Sequence, residues 1–212
     1  MPNILEEKDW DHLLRKIKDE KCTPFLGSGA CSEKISVSFK IANEWAREYE
    51  YPMEDSDDLT RVAQFVAVTT EDKMFPKDEI CKKITELLED VTPTYFETHY
   101  EIHGVLASLP LPVYISTTYD DLMERALKSR NKEPIQEICQ WNDFLMKRKP
   151  TSPIFEPIPE KLLVYHLNGC YEIPESLVLT ENDYLDFLVA ISKEQDLLRR
   201  VFRRHLEAHL FF

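Results

Sequence analysis

The sequence predicts a doubly wound α/β fold, a mostly parallel sheet with helices on both faces, and three observations carry that prediction. Short apolar runs at 22–26, 111–115 and 161–167 each stop at small or polar residues, and segments with helical periodicity alternate with them. The third run, Lys161-Leu-Leu-Val-Tyr-His-Leu167, is almost continuously apolar, as a parallel strand covered on both faces is. In an open α/β sheet the loops at the carboxyl ends of the strands gather at one rim, where ligands bind.

Taken in order, 5–20 space Trp10, Leu13, Leu14 and Ile17 along one helical face, an amphipathic lead-in helix. The strand 22–26 runs into Gly27-Ser-Gly-Ala30, which uses two of only four glycines in the chain. Such a turn before a helix can aim main-chain N–H groups at a phosphate, though by itself it fits a plain turn equally well. Helices are predicted at 41–50, ended by Pro52, and at 59–68, opened by the acids at 55–58. Gln64 sits inside the second, as a core amide or a ligand contact. Further helices are predicted at 77–88 and 103–109, with His103 in a packing or surface role. The strand 111–115 leads into Ser116-Thr-Thr-Tyr-Asp120 and a helix over 121–128, a cluster that reads as a helix cap or a ligand contact. Residues 131–160, rich in proline and charge, read as a surface excursion. The strand 161–167 ends at Asn168-Gly169. Thr180 with Asp183 forms a capping box for a helix to about 191, and a last helix is predicted at 196–209. With three strand ends agreeing, a nucleotide crevice is the better reading of the glycine turn.

Composition narrows the partners. A net charge of −13, from 26 Lys and Arg against 39 Asp and Glu, argues against nucleic acid or an anionic membrane, which need clustered cations. Five scattered cysteines without a CxxC pair fit reduced thiols and argue against structural zinc, so no metal is expected. The first residues lack a basic segment followed by an apolar block, and no apolar run approaches spanning length, which suggests a soluble cytoplasmic protein.

These residues resemble the sirtuin-like NAD-binding domain family in its bacterial form. The likeness rests on Phe25-Leu-Gly-Ser-Gly-Ala30, on Trp45-Ala46, Tyr51-Pro52 and 58–65, on Phe75-Pro-Lys77, and on 106–121. It continues through Val164-Tyr-His-Leu-Asn-Gly169, 174–180 and Asp183-Tyr-Leu-Asp-Phe187, running from about residue 20 to the end as a single domain over 1–212. The resemblance implies a Rossmann-like domain whose glycine turn holds the phosphates of NAD and which hydrolyses NAD to nicotinamide and ADP-ribose. It also implies a role in defence against phage, beside a fused or partner sensor or in a homo-oligomer. Gly27, Ser28, Gly29, Ala30, Thr117, Asp120 and His166 are then expected to bind NAD, with Thr118 and Asn168 at the catalytic positions. The zinc-holding cysteine pairs of the deacetylases in the wider family are missing.

Three departures from the family pattern stand out. Thr118 stands where the family has the Asn that contacts ribose and orients water, and Asn168 stands where it has the general-base His. An amide takes no proton near neutral pH, and losing a base commonly costs about 10²–10⁴ in rate. His166 lies on the same strand face as Asn168, about 6.6 Å along the strand, as a core residue or a displaced substitute. Family members also continue beyond a segment like 210–212 into another strand, so the chain is expected to lack its last strand and to leave a sheet edge open. The alternative function is an NAD or ADP-ribose binding module without turnover.

Overall fold

The computed structural model describes residues 6–30, 38–148 and 157–193. Among these, the strands are β1 Phe25–Leu26, β2 Val113–Ser116, β3 Ile135–Ile138 and β4 Leu163–His166, and they form one parallel sheet in the order β1-β2-β4-β3. The helices are α1 Glu7–Lys18, α2 Ser38–Glu48, α3 Leu59–Thr69, α4 Phe75–Glu89, α5 Ile102–Ala107, α6 Leu122–Ser129, α7 Asp143–Lys147 and α8 Glu181–Lys193. The alternation of parallel strands and helices is the α/β, Rossmann-like architecture that the sequence predicts.

Strand alternation divides the core in two. Tyr114 and Val164 face a cluster built with residues of α2 to α6, including Trp45, Val62, Ile84 and Leu127. Val113, Ile115, Leu163 and Tyr165 face a second cluster with Cys139, Trp141, Leu145 of α7 and Phe187 of α8. Helices therefore cover both faces, which is why β2 and β4 are buried at every position.

The register sets the rim. Leu26 lies opposite Ser116, and Ser116 opposite His166, which in turn pairs with Ile138. All four strands thus end at one level, and the loops after them leave side by side.

Several elements differ from expectation for local reasons. β1 has two paired residues instead of five, because Pro24 has no N–H to give the ladder, although its carbonyl accepts from Ile115 N at 2.9 Å. Pro112 likewise shortens the start of β2. Residues 131–160 are not only a surface excursion: they supply β3 and α7. β3 is an edge strand, half-buried throughout, and its Ile-Gln-Glu-Ile pattern lacks the apolar run that marks central strands. The expected helix at 196–209 lies outside the described residues, as does the end of the chain.

Caps follow the sequence closely. The Asp58 carboxylate accepts from Thr60 N at 3.0 Å and Arg61 N at 3.3 Å to start α3. At α8 the capping box is complete: Thr180 Oγ1 accepts from Asp183 N at 3.2 Å, and Asp183 Oδ2 accepts from Thr180 N at 2.9 Å. The other oxygen of Asp183 meets Lys77 Nζ at 2.8 Å in a buried ion pair that ties α4 to α8. Gln64 is spent on the same junction, its Oε1 accepting from Asn182 N at 3.1 Å. His103 is buried, with Nδ1 2.7 Å from Glu101 Oε1, which settles it in a packing role.

Candidate active site

A cleft of about 350 Å³ opens at the rim formed by the strand ends. One wall comes from the loops after β1, β2 and β4: Ser28, residues 117–120 and Asn168. The facing wall is made by Asp57, Asp58, Leu59 and Thr60 at the start of α3, by Ile84 and Leu87 of α4, and by Tyr184 of α8.

The loop after β2 is held by its own hydroxyls. Thr117 Oγ1 donates to the Leu26 carbonyl at 3.0 Å, beside the main-chain bond from Thr117 N at 2.8 Å, so the first two strand ends are clamped together. Thr118 Oγ1 lies 2.9 Å from Ser116 Oγ, which also accepts from Thr118 N at 3.2 Å. Asp120 is buried and accepts from Leu122 N at 3.1 Å, turning the chain into α6. Tyr119 reaches across to donate to the Val178 carbonyl at 2.7 Å. Asn168 accepts from Val178 N through its carbonyl at 2.9 Å, while its side chain has no hydrogen-bond partner among the described residues.

The glycine turn forms a short 3-10 turn, Ala30 N donating to Gly27 O at 2.9 Å. A Cβ at Gly27 would meet only Thr117 Oγ1 at 3.7 Å, and one at Gly29 would meet nothing within 4 Å. Among the described residues, no atom therefore demands glycine at Gly29. Ala30 instead packs on the larger core cluster.

Of the residues expected in the site, Ser28, Thr117, Thr118, Asp120 and Asn168 line one cleft, while Gly27 and Gly29 flank it in the turn. His166 does not line it. Its ring is fully buried with Nε2 2.5 Å from Glu124 Oε1 on α6. The acids at 55–58 were legible only as a helix start; that Asp57 and Asp58 also face the cleft, with Tyr184 beside them, depends on how α3 and α8 pack. Among the described residues, no group of three or more His, Cys, Asp or Glu could hold a metal ion, and no helix is long and apolar enough to cross a membrane.

Residues 112–212, which include β2, the loop after it, β4 and α8, match the family model for the SIR2-like domain. That likeness to a SIR2-like domain covers just under half of the chain. The chain is similar to three proteins named NAD(+) hydrolase ThsA: that of Cytobacillus dafuensis, 27% identical over 89% of this chain and 35% of the relative; that of Bacillus cereus (strain MSX-D12), 26% over 80% and 32%; and that of Enterococcus faecium, 28% over 84% and 35%. The chain spans about a third of the length of these relatives. Thr118 and Asn168, the two positions that the sequence resemblance marks as catalytic, are both among the residues lining the cleft.

Proposed function

We propose that this SIR2-like domain binds NAD across the carboxyl ends of β1, β2 and β4 and hydrolyses it to nicotinamide and ADP-ribose, as the effector part of a defence protein. One observation carries the reading: Ser28, Thr117, Thr118, Asp120 and Asn168, drawn from three separate loops, share a single cleft. The relatives named as NAD(+) hydrolases support it.

The charges of the cleft suit this substrate. Asp57, Asp58 and Asp120 line it, with no lysine or arginine among the described residues of the lining. Carboxylates favour the cationic nicotinamide end and the ribosyl cation that forms as the C–N bond breaks, its electron pair leaving with nicotinamide. Water then bonds to the ribose carbon and gives up a proton. The diphosphate is left to the main-chain N–H groups of the open turn at Gly29. In this reading the domain works in the cytoplasm and either answers to a fused or partner sensor or assembles as a homo-oligomer.

A second reading is favoured by the committed hydroxyl of Thr118 and by Asn168, an amide at the base position: a module that holds NAD or ADP-ribose and signals by occupancy. Fluorogenic etheno-NAD separates the two. Release of fluorescence above buffer at micromolar protein supports hydrolysis; calorimetric binding of NAD and ADP-ribose without that release supports the binding module; neither signal rejects both.

A further inference from the structure

Beneath the cleft, β4 ends at His166, whose ring lies on the same sheet face as Ser116, its partner in register. Both residues are buried, His166 completely. Nε2 meets Glu124 Oε1 at 2.5 Å, and among the described residues neither Nδ1 nor Glu124 Oε2 completes a hydrogen bond. The Thr118 carbonyl lies in the same small space, 3.4 Å from Ser116 Oγ. Two uncompensated polar atoms at full burial are costly, so their retention asks for a reason.

We propose that His166 and Glu124 form a buried imidazolium–carboxylate pair that positions the cleft loop, with the second ring N–H turned to the Thr118 carbonyl and the ring's charge offsetting that of Asp120. Acceptors on both sides of an imidazole can be satisfied together only when both nitrogens carry protons. His166 is therefore a positioning residue, acting on Thr118 and Asp120 from outside the cleft, and its value for function rests on the nucleotide reading of that cleft.

The surroundings agree in direction. Burial works against a charged ring, but Glu124, then Asp120 and the Thr118 carbonyl, outweigh it and raise the His166 pKa above its usual value. The groups that face it are Glu124 from α6 and Asp120 from the loop, with the neutral thiol of Cys170 held up by burial near Glu124 and Asp121. Asp121 is itself paired with Arg125 at 2.7 Å. Ser116 on β2 and Ile138 on β3, the neighbours in register, carry no charge. The loop should therefore be held while the ring is protonated and released as pH rises through the raised value.

The test is a side-chain ¹⁵N NMR titration of the full chain from pH 6 to 10, read together with the main-chain amides of Thr118 and Asp120 and with ADP-ribose affinity by calorimetry. The expected result is a cationic ring at pH 7, loop amides and affinity that change with the ring's own midpoint, and a midpoint about 1 unit or more lower in Glu124→Gln. A neutral ring at pH 7, amides that stay fixed through the ring's titration, or a midpoint unmoved in Glu124→Gln would overturn the proposal; the wild-type titration decides even if the variant fails to fold. Affinity that is flat while the ring titrates would overturn it too. Absence of ADP-ribose binding at every pH would sink the nucleotide reading instead, and the loop amides would then decide the pair by themselves.

Discussion

Tyr119 donates its phenolic proton to the carbonyl of Val178 at 2.7 Å, so the loop after β2 is pinned to the segment that enters α8. Burial raises the Tyr119 pKa well above its usual value, and the group remains a donor across the neutral range. The same segment is tied from the other side by Val178 N, which donates to Asn168 O at 2.9 Å. The loops after β2 and β4, both on one wall of the cleft, thus share one short stretch of backbone. Tyr119→Phe leaves the buried Val178 carbonyl without this donor and is expected to cost about 1–3 kcal/mol in urea denaturation. It should weaken NAD binding as well, since the two loops lose their shared anchor.

The glycines make a sharper test, because two of them differ in what they face. Gly169 has φ +92°, and a Cβ there would lie 2.3 Å from the Ser176 carbonyl oxygen. Gly169→Ala is expected to cost about 1–3 kcal/mol for the backbone alone, and more for the clash. Gly29 has neither constraint. Gly29→Ala should leave stability within about 0.5 kcal/mol of wild type, yet lower the affinity for NAD if the diphosphate lies against that turn. Unchanged affinity in a calorimetric titration would count against the turn as a phosphate cradle.

Much of this arrangement is legible in the sequence, and the reason is local. Apolar runs ending in Gly27, Ser116 and Asn168 mark strands whose ends fall at one level, and Asp58 and Thr180 with Asp183 mark helix starts through capping chemistry that involves neighbours in the chain. What escapes is set by tertiary contact. β3 hides because an edge strand needs no continuous apolar pattern. Gln64 invites a ligand reading, whereas packing of α3 on α8 gives it Asn182 N. His166 shares the Asn168 strand face, as alternation requires, but Glu124 lies 42 residues earlier and only the fold brings the two together. The glycine with the firmest steric demand in the site region is Gly169, and nothing in its flanking sequence states that Ser176 will approach it.

A pH effect is expected at the start of α5. Glu101 accepts from Gly104 N at 2.5 Å and meets His103 Nδ1 at 2.7 Å. Burial raises its carboxyl pKa, but His103 and the Gly104 N–H outweigh that, and the net direction is down. A carboxylate with a depressed value contributes stability that is present above its unfolded pKa, about 4.3, and lost as pH falls through the folded one. Wild type should therefore be more stable than Glu101→Gln at pH 6, with the difference shrinking towards pH 3. Urea midpoints of both proteins across that range provide the check, and a gap that widens on acidification would reverse the assignment.

The decisive substitution pair is Thr118→Asn with Asn168→His. Both positions line the cleft, and Asn168 has a side chain without a hydrogen-bond partner among the described residues, so an imidazole there replaces no existing bond. Unlike the amide, an imidazole near its ordinary pKa of about 6.5 can take the proton that water gives up on attacking the ribose. At 118 the amide exchanges a hydroxyl tied to Ser116 for a group long enough to extend beyond it. If the domain is an NAD hydrolase with a blunted base, the double variant should turn over etheno-NAD roughly 10²–10⁴ times faster than wild type, with ADP-ribose affinity changed far less. Its rate should rise as pH passes through the new imidazole's pKa, because the base works only when neutral. A double variant that binds NAD tightly and stays inert at every pH would show that these two positions do not hold the chemistry.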